Sequence, residues 1–255
     1  MEIPLAFDAH NHLDFPAFDG DRQAVVARAH AAGINGWIIA GADPAHWGRI
    51  DAVAAQTGGV PCHGVHPWWI LDLSDAAISQ AIADLRTRPT SGIGETGLDW
   101  FRAEATQDRH RQESAFRAHI DIAIDRSLPL VLHCVRAYPR LLDILEESGE
   151  VTGMIHSWSG PPELIDRAIS LGLYVSFGAT LTRSAAVRRS AAAVPDDHLL
   201  LETDAPDQAI QRDVRGEPLH LVQIAARMAA LRKTDVTELL ALTEVNAIRL
   251  FGLSP

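Results

Sequence analysis

The sequence predicts a single (β/α)8 TIM barrel, an α/β fold, and three observations predict it. Eight short apolar runs recur along the chain, each leading through a polar or glycine corner into a helix-like stretch. No Gly/Ser linker, low-complexity tract or long charge run interrupts the 255 residues, so residues 1–255 read as one domain. The polar signals follow many different runs. That favours a closed barrel over an open doubly wound sheet, whose ligand site gathers at one switch point.

The elements follow in order. The run Ile3–Phe7 leads to a helical pattern at Arg22–Ala32, Gly36–Ala40 to Ala45–Gln56, and Val60–Val65 to Ala76–Arg86. Ser91–Gly94 leads to Gln107–Arg126, where Phe116, Ile120 and Ile124 repeat every four residues as a buried helix face should. Pro129–Leu132, Val151–Ile155 and Leu173–Phe177 lead to Tyr138–Glu147, Pro162–Ser170 and Arg183–Ala193. Leu199–Glu202 is the eighth run. Two helices follow it: Glu217–Leu231, with Pro218 in its first turn, and Asp235–Phe251. The latter has Asp235 and Glu238 in capping-box spacing and a stop at Gly252.

Composition excludes several classes. No apolar stretch reaches the ~18 residues of a membrane span, and the first residues lack the basic and apolar regions of a signal peptide. Two cysteines in strand-like runs, Cys62 and Cys134, make no disulfide framework; a reduced, cytoplasmic setting is the expectation. A formal net charge of −11 argues against a broad electrostatic grip on duplex DNA. Bound divalent cations would still make a pocket locally positive.

Chemistry-bearing residues stand where the runs end. His10 and His12, in Asp8-Ala9-His10-Asn11-His12, point the same way along a strand and can share a metal. Glu95 follows the fourth run between Gly94 and Gly97, glycines that let the backbone turn closely around a ligand. His133 and His156 end the fifth and sixth runs. Asp204 follows the eighth, with Pro206 fixing the corner and Glu202 one pleat deeper in a structural role. In a barrel these ends meet on one face. His and carboxylate donors in that number suit two divalent ions, Zn, Mg or Mn, sharing a bridging group. His66, in Gly64-Val65-His66-Pro67-Trp68, falls on the same rim and is placed against substrate rather than metal. His30, His46, His110, His119, His198 and His220 read as solvated or core residues.

These motifs resemble the TatD family of metal-dependent deoxyribonucleases, barrels of the metal-dependent hydrolase type. The resemblance runs from DAHNHLD (Asp8–Asp14) through GVHPW, GETGLD (Gly94–Asp99), LPLVLH and IHSWSG to LLLETDAP (Leu199–Pro206), RGEP (Arg215–Pro218) and NAIRLFGL. It implies His10, His12 and Asp204 on one metal, His133 and His156 on the second, and Glu95 bridging them. Glu95 and Asp204 carry the catalysis. Arg136 and Trp158 join His66 as substrate-binding candidates, although Val135 stands where many members have arginine, and Gly216 replaces the usual Asn of RNEP. The implied reaction is phosphodiester hydrolysis at or near single-stranded DNA ends, by a monomer that does not engage membrane. The alternatives are a barrel acting on a small ester, lactone or amide, and a metal-bound component of a larger complex with little catalysis.

Overall fold

The structure, a computed structural model, describes residues 6–211 and 213–254. The apolar runs form eight parallel strands: β1 (Ala6–Asn11), β2 (Ile34–Ala40), β3 (Val60–Cys62), β4 (Ile93–Asp99), β5 (Leu130–Val135), β6 (Gly153–Ile155), β7 (Leu173–Phe177) and β8 (Leu199–Leu201). Sequence neighbours pair, β1 to β3 in one set and β4 to β8 in the other. Two seams close the ring. At the first, His63 bridges to Ile93; the His63 N–H donates to Gly92 O (3.2 Å) and the Gly94 N–H to His63 O (2.8 Å). At the second, the Asp204 N–H donates to His10 O (2.9 Å) and the His12 N–H to Ala205 O (2.8 Å). The buried Asp8 carboxylate reinforces this seam by accepting from the Thr203 N–H (2.8 Å) and hydroxyl (2.6 Å). The outcome is the (β/α)8 barrel.

The helices are α1 (Arg22–Ala31), α2 (Trp47–Thr57), α3 (Pro67–Asp72), α4 (Asp75–Leu85), α5 (Thr106–Arg126), α6 (Tyr138–Ser148), α7 (Ile165–Ser170), α8 (Ala185–Ala193), α9 (Leu221–Arg232) and α10 (Val236–Phe251). Inside the ring Phe7, Ile38, Cys62, Val131, Met154, Tyr174 and Leu200 form one apolar cluster, which α10 caps with Ala247, Leu250 and Phe251. Asn246 locks that cap by donating to Asp196 O (2.7 Å) and Leu199 O (2.9 Å). The NAIRLFGL motif is therefore a plug under the barrel. RGEP is a brace: Arg215 pairs with Asp21 (2.7 Å) and Glu217 (2.9 Å), and Glu217 with Arg28 of α1 (2.9 Å).

Several expectations are corrected. Of the first run, Ile3–Leu5 lies outside the described residues, and β1 continues to Asn11, so His10 is a strand residue. β4 likewise continues through Glu95 to Asp99. The third run stops at Cys62 and is followed by the unforeseen α3, which opens with Pro67 under a His66 cap. Ile124 is 40% exposed while Phe116 and Ile120 are fully buried, because the long α5 turns its last positions outward. The two thiols are free and buried. Among the described residues no helix is long and apolar enough to cross a membrane.

Candidate metal centre

The C-terminal strand ends bring all six proposed ligands to one place, and none is more than 8% exposed. His10 Nε2 and His12 Nε2 lie 3.3 Å apart. Glu95 Oε2 is 3.5 Å from each, and Asp204 Oδ1 is 3.6 Å from His10 and 3.4 Å from His12. A tetrahedral ion with ligands at about 2.0–2.2 Å requires neighbouring donors about 3.3–3.6 Å apart. The first donor set has that spacing. The other Glu95 oxygen, Oε1, faces a second set: His133 Nδ1 (3.0 Å), His156 Nε2 (3.0 Å) and His66 Nε2 (3.2 Å). One carboxylate thus looks into both sets.

Contacts on the far side of the rings set which nitrogen faces inward. His12 Nδ1–H donates to Ala40 O (2.9 Å), which turns Nε2 inward as the nitrogen a cation would take once the ring is neutral. His133 turns Nε2 to Asp99 Oδ2 (3.3 Å), which points Nδ1 inward, and His156 Nδ1 lies 3.5 Å from the Glu202 carboxylate, a charge contact that leaves Nε2 facing Glu95. His66 is the opposite case. Its Nδ1 accepts the Trp68 N–H (3.1 Å), so the proton of the neutral ring sits on Nε2 and points at Glu95. Burial, aided by His133, holds His66 neutral at about 4. In this form it is a donor, with Nε2 turned to Glu95 Oε1.

Burial opposes charge throughout the cluster, yet opposite charges outweigh it. Glu95 lies well below its ordinary value because His66, His156 and His10 surround it, and Asp204 falls to about 2 beside His12 and His156. His12 is held up at about 9 by Asp204 and Glu95, and Glu95 and Glu202 raise His156. Among the four histidines expected as ligands, only His10 moves down, through burial and His156. Protons on the imidazoles balance the ionised carboxylates. A divalent cation would take over that role and release them.

The flanking glycines have a different cause from the one expected. A Cβ on Gly97, at φ +133°, would lie 2.1 Å from His133 O, and one on Gly94, at φ +149°, 2.3 Å from Val131 O. They let β4 close against β5 and so carry Glu95 to the second donor set; the ligand is not what they approach.

Of the other substrate-binding candidates, Arg136 is exposed, with its guanidinium 4.6 Å from the Phe101 ring centre. Trp158 is corrected: it has no exposed surface, packs on Tyr138 and donates its indole N–H to Gly160 O (2.9 Å). A tryptophan between two serines reads as a surface loop, but the chain turns it inward. Sequence reasoning missed Asp99, which holds His133 and also accepts from the Trp68 indole (2.5 Å). Its place at the end of GETGLD was the available signal. It also missed Gln208, which donates to Asp204 Oδ2 (2.7 Å).

The profile of the family described as TatD related DNase matches residues 7–252. The chain belongs to this family. A 3'-5' ssDNA/RNA exonuclease TatD of Shigella flexneri is 33% identical over 97% of this chain and 99% of its own length, and the Escherichia coli K12 protein of the same name matches to the same extent. Among solved structures, the TatD homologue YjjV of Escherichia coli superposes with a TM-score of 0.90 at 29% identity, covering 99% of this chain and 100% of that one. A TatD family hydrolase of Entamoeba histolytica shares the fold (TM-score 0.87, 18% identity, 98% of this chain and 99% of that one). The TatD assignment and the geometry agree on the kind of site: clusters of His and Glu able to hold divalent metal, in a hydrolase barrel.

Proposed function

We propose that this TatD-family chain, acting as one domain, hydrolyses phosphodiester bonds at or near the ends of single-stranded nucleic acid, DNA foremost. Two divalent cations would be held there, one by His10, His12 and Asp204, the other by His133 and His156, with Glu95 between them. The observation that carries this reading is Glu95, whose two oxygens each face a separate set of inward-turned imidazole nitrogens at 3.0–3.5 Å. The single-strand preference rests on the relatives, which bear the name of ssDNA/RNA exonucleases. It also rests on the acidic net charge of −11, which disfavours a duplex grip. Every group needed for the chemistry belongs to one chain, so a monomer suffices.

Cations at such a centre supply a water of lowered pKa and offset charge on the phosphate oxygens. The protein's own groups do the rest. Asp204 has one oxygen toward His10 and His12 and the other on Gln208, and it is held ionised. It takes the proton of the attacking water and returns one to the leaving oxygen. Glu95 fixes the spacing of the two donor sets. His66 offers its Nε2–H to a phosphate oxygen, a donor aimed where negative charge grows.

The test is turnover of metal-loaded protein on short end-labelled single strands, beside matched duplexes and a panel of esters and lactones. The expected result is stepwise shortening of single strands that stops on chelation and returns with added metal. Metal-dependent turnover of an ester or lactone with none of the single strands would overturn the proposal.

A further inference from the structure

On one side of the centre the loops after β3, β4 and β5 build a shelf that the hydrolytic chemistry does not use. Trp68 and Phe101 are large apolar side chains left 41% and 57% exposed. Each carries a guanidinium on its ring: Arg102 lies 4.2 Å from the Trp68 ring centre and Arg136 lies 4.6 Å from that of Phe101. Among the described residues neither arginine forms an ion pair, although acidic groups outnumber basic ones 33 to 22 in this chain. The shelf is also tied to the centre. Asp99 accepts from the backbone N–H of Phe101 and of Arg102 (3.0 Å each) and from the Trp68 indole, and its carboxylate meets His133 Nε2 at 3.3 Å. Trp68 stands edge-on to His133, ring centres 6.2 Å apart.

An exposed aromatic ring with an unpaired guanidinium resting on it offers both things a single-stranded nucleic acid needs. Every base has a face that stacks on an aromatic ring, and every linkage has a phosphate that pairs with arginine. Duplex DNA hides its base faces, so it gains nothing from the rings. We propose that Trp68 and Phe101 stack the bases next to the scissile linkage, with Arg102 and Arg136 swinging from the rings onto the flanking phosphates. The shelf thereby selects unpaired strands over duplex by base stacking, and Asp99 sets it in register with His133. This inference rests on the nucleic-acid reading above and names the contacts that make it single-strand specific.

The test separates stacking from charge and binding from turnover. Metal-loaded protein is titrated into a short fluorescein-labelled single strand with non-hydrolysable phosphorothioate linkages, and into an abasic strand of the same length. Stacking of one base on an exposed ring is expected to favour the intact strand about tenfold. Phe101→Ala is expected to weaken the intact strand about tenfold, to cut the intact-to-abasic ratio by the same factor while Trp68 keeps the remainder, and to regain the full preference as Phe101→Tyr. Arg102→Gln is expected to weaken both strands alike. Since Phe101 is more than half exposed, the substitution spares the fold, which circular dichroism checks. Wild-type protein that binds intact and abasic strands equally overturns the shelf, and so does an undiminished preference in Phe101→Ala. If base-dependent binding is found but the matching phosphodiester strand is not cleaved, the hydrolase reading falls and the shelf stands. Cleavage without base preference has the converse meaning.

Discussion

On the floor of the barrel mouth the six candidate ligands expose 8% or less of their surface, whereas Trp68 and Phe101 on its rim expose 41% and 57%. The floor groups sit on strand ends, and three are held from behind: His12 and His133 by hydrogen bonds to Ala40 O and Asp99, His156 by the charge of Glu202 at 3.5 Å. Of the rim groups, Trp68 sits in the first turn of the short α3 and Phe101 on a loop, and their arginines have only a ring beneath them. The floor buries charge, which is costly unless every group is paired, and so it admits one arrangement. The rim keeps its charges in solvent and can adapt. Chemistry needs the first kind of surface, and a substrate of varying sequence needs the second.

The sharpest break of this comparison is Asp204→Asn. It keeps shape and one oxygen toward the donor set but cannot take a proton near neutral pH. The expected loss in kcat is ~10²-fold or more, the scale of general acid–base catalysis, with far less change in strand affinity. Metal content is measured in the same samples. Activity per metal-loaded molecule within a few-fold of wild type would show that Asp204 only turns the chain.

Next in size are the groups behind the ligands. Asp99→Asn and Glu202→Gln keep volume but weaken the acceptors that orient His133 and His156. Each is expected to lower affinity for the second ion about 10- to 100-fold, and to spare the first. Competition with a chromophoric chelator resolves the two steps; an equal loss at both sites would refute the division of the floor into two donor sets.

A smaller effect concerns support beneath the floor. His119 accepts the Val65 N–H at Nε2 (3.0 Å) and donates Nδ1–H to Ala115 O (2.7 Å). Burial depresses it to about 4. The unfolded chain therefore binds a proton near pH 6.5 and the folded one does not until pH 4. This stabilisation is complete above pH 6.5 and is lost as pH falls through 4. Linkage gives a loss of about 1 kcal/mol between pH 7.5 and 5.5. Urea unfolding at both pH values should show that increment in wild type and lack it in His119→Gln; identical increments would dismiss His119 as its source.

The sequence made the strand order legible because apolar runs and polar corners alternate with little interruption, and the convergence of the six candidate ligands legible because each stands at the end of such a run. It hid what depends on partners distant along the chain. Nothing near Trp158 says that Tyr138 covers it. The tautomer of His66 is set by the N–H of Trp68 once α3 has formed, and a short helix behind Pro67 leaves no periodic signal. Gly94 and Gly97 were read as making room for a ligand, since the backbone of β5, their actual neighbour, is more than thirty residues away in sequence.

The seam between β1 and β8 has a consequence for how the centre comes into being during synthesis. The bond from Thr203 to Asp8 spans 195 residues, and the first donor set draws His10 and His12 from one side of that seam and Asp204 from the other. Glu95, His133 and His156 are all made earlier. A growing chain therefore owns the second set long before the first, and an ion held as proposed on the first set would act as a buckle between the earliest and latest parts of the barrel. Loss of such an ion would loosen the closure that holds the remaining candidate ligands in place.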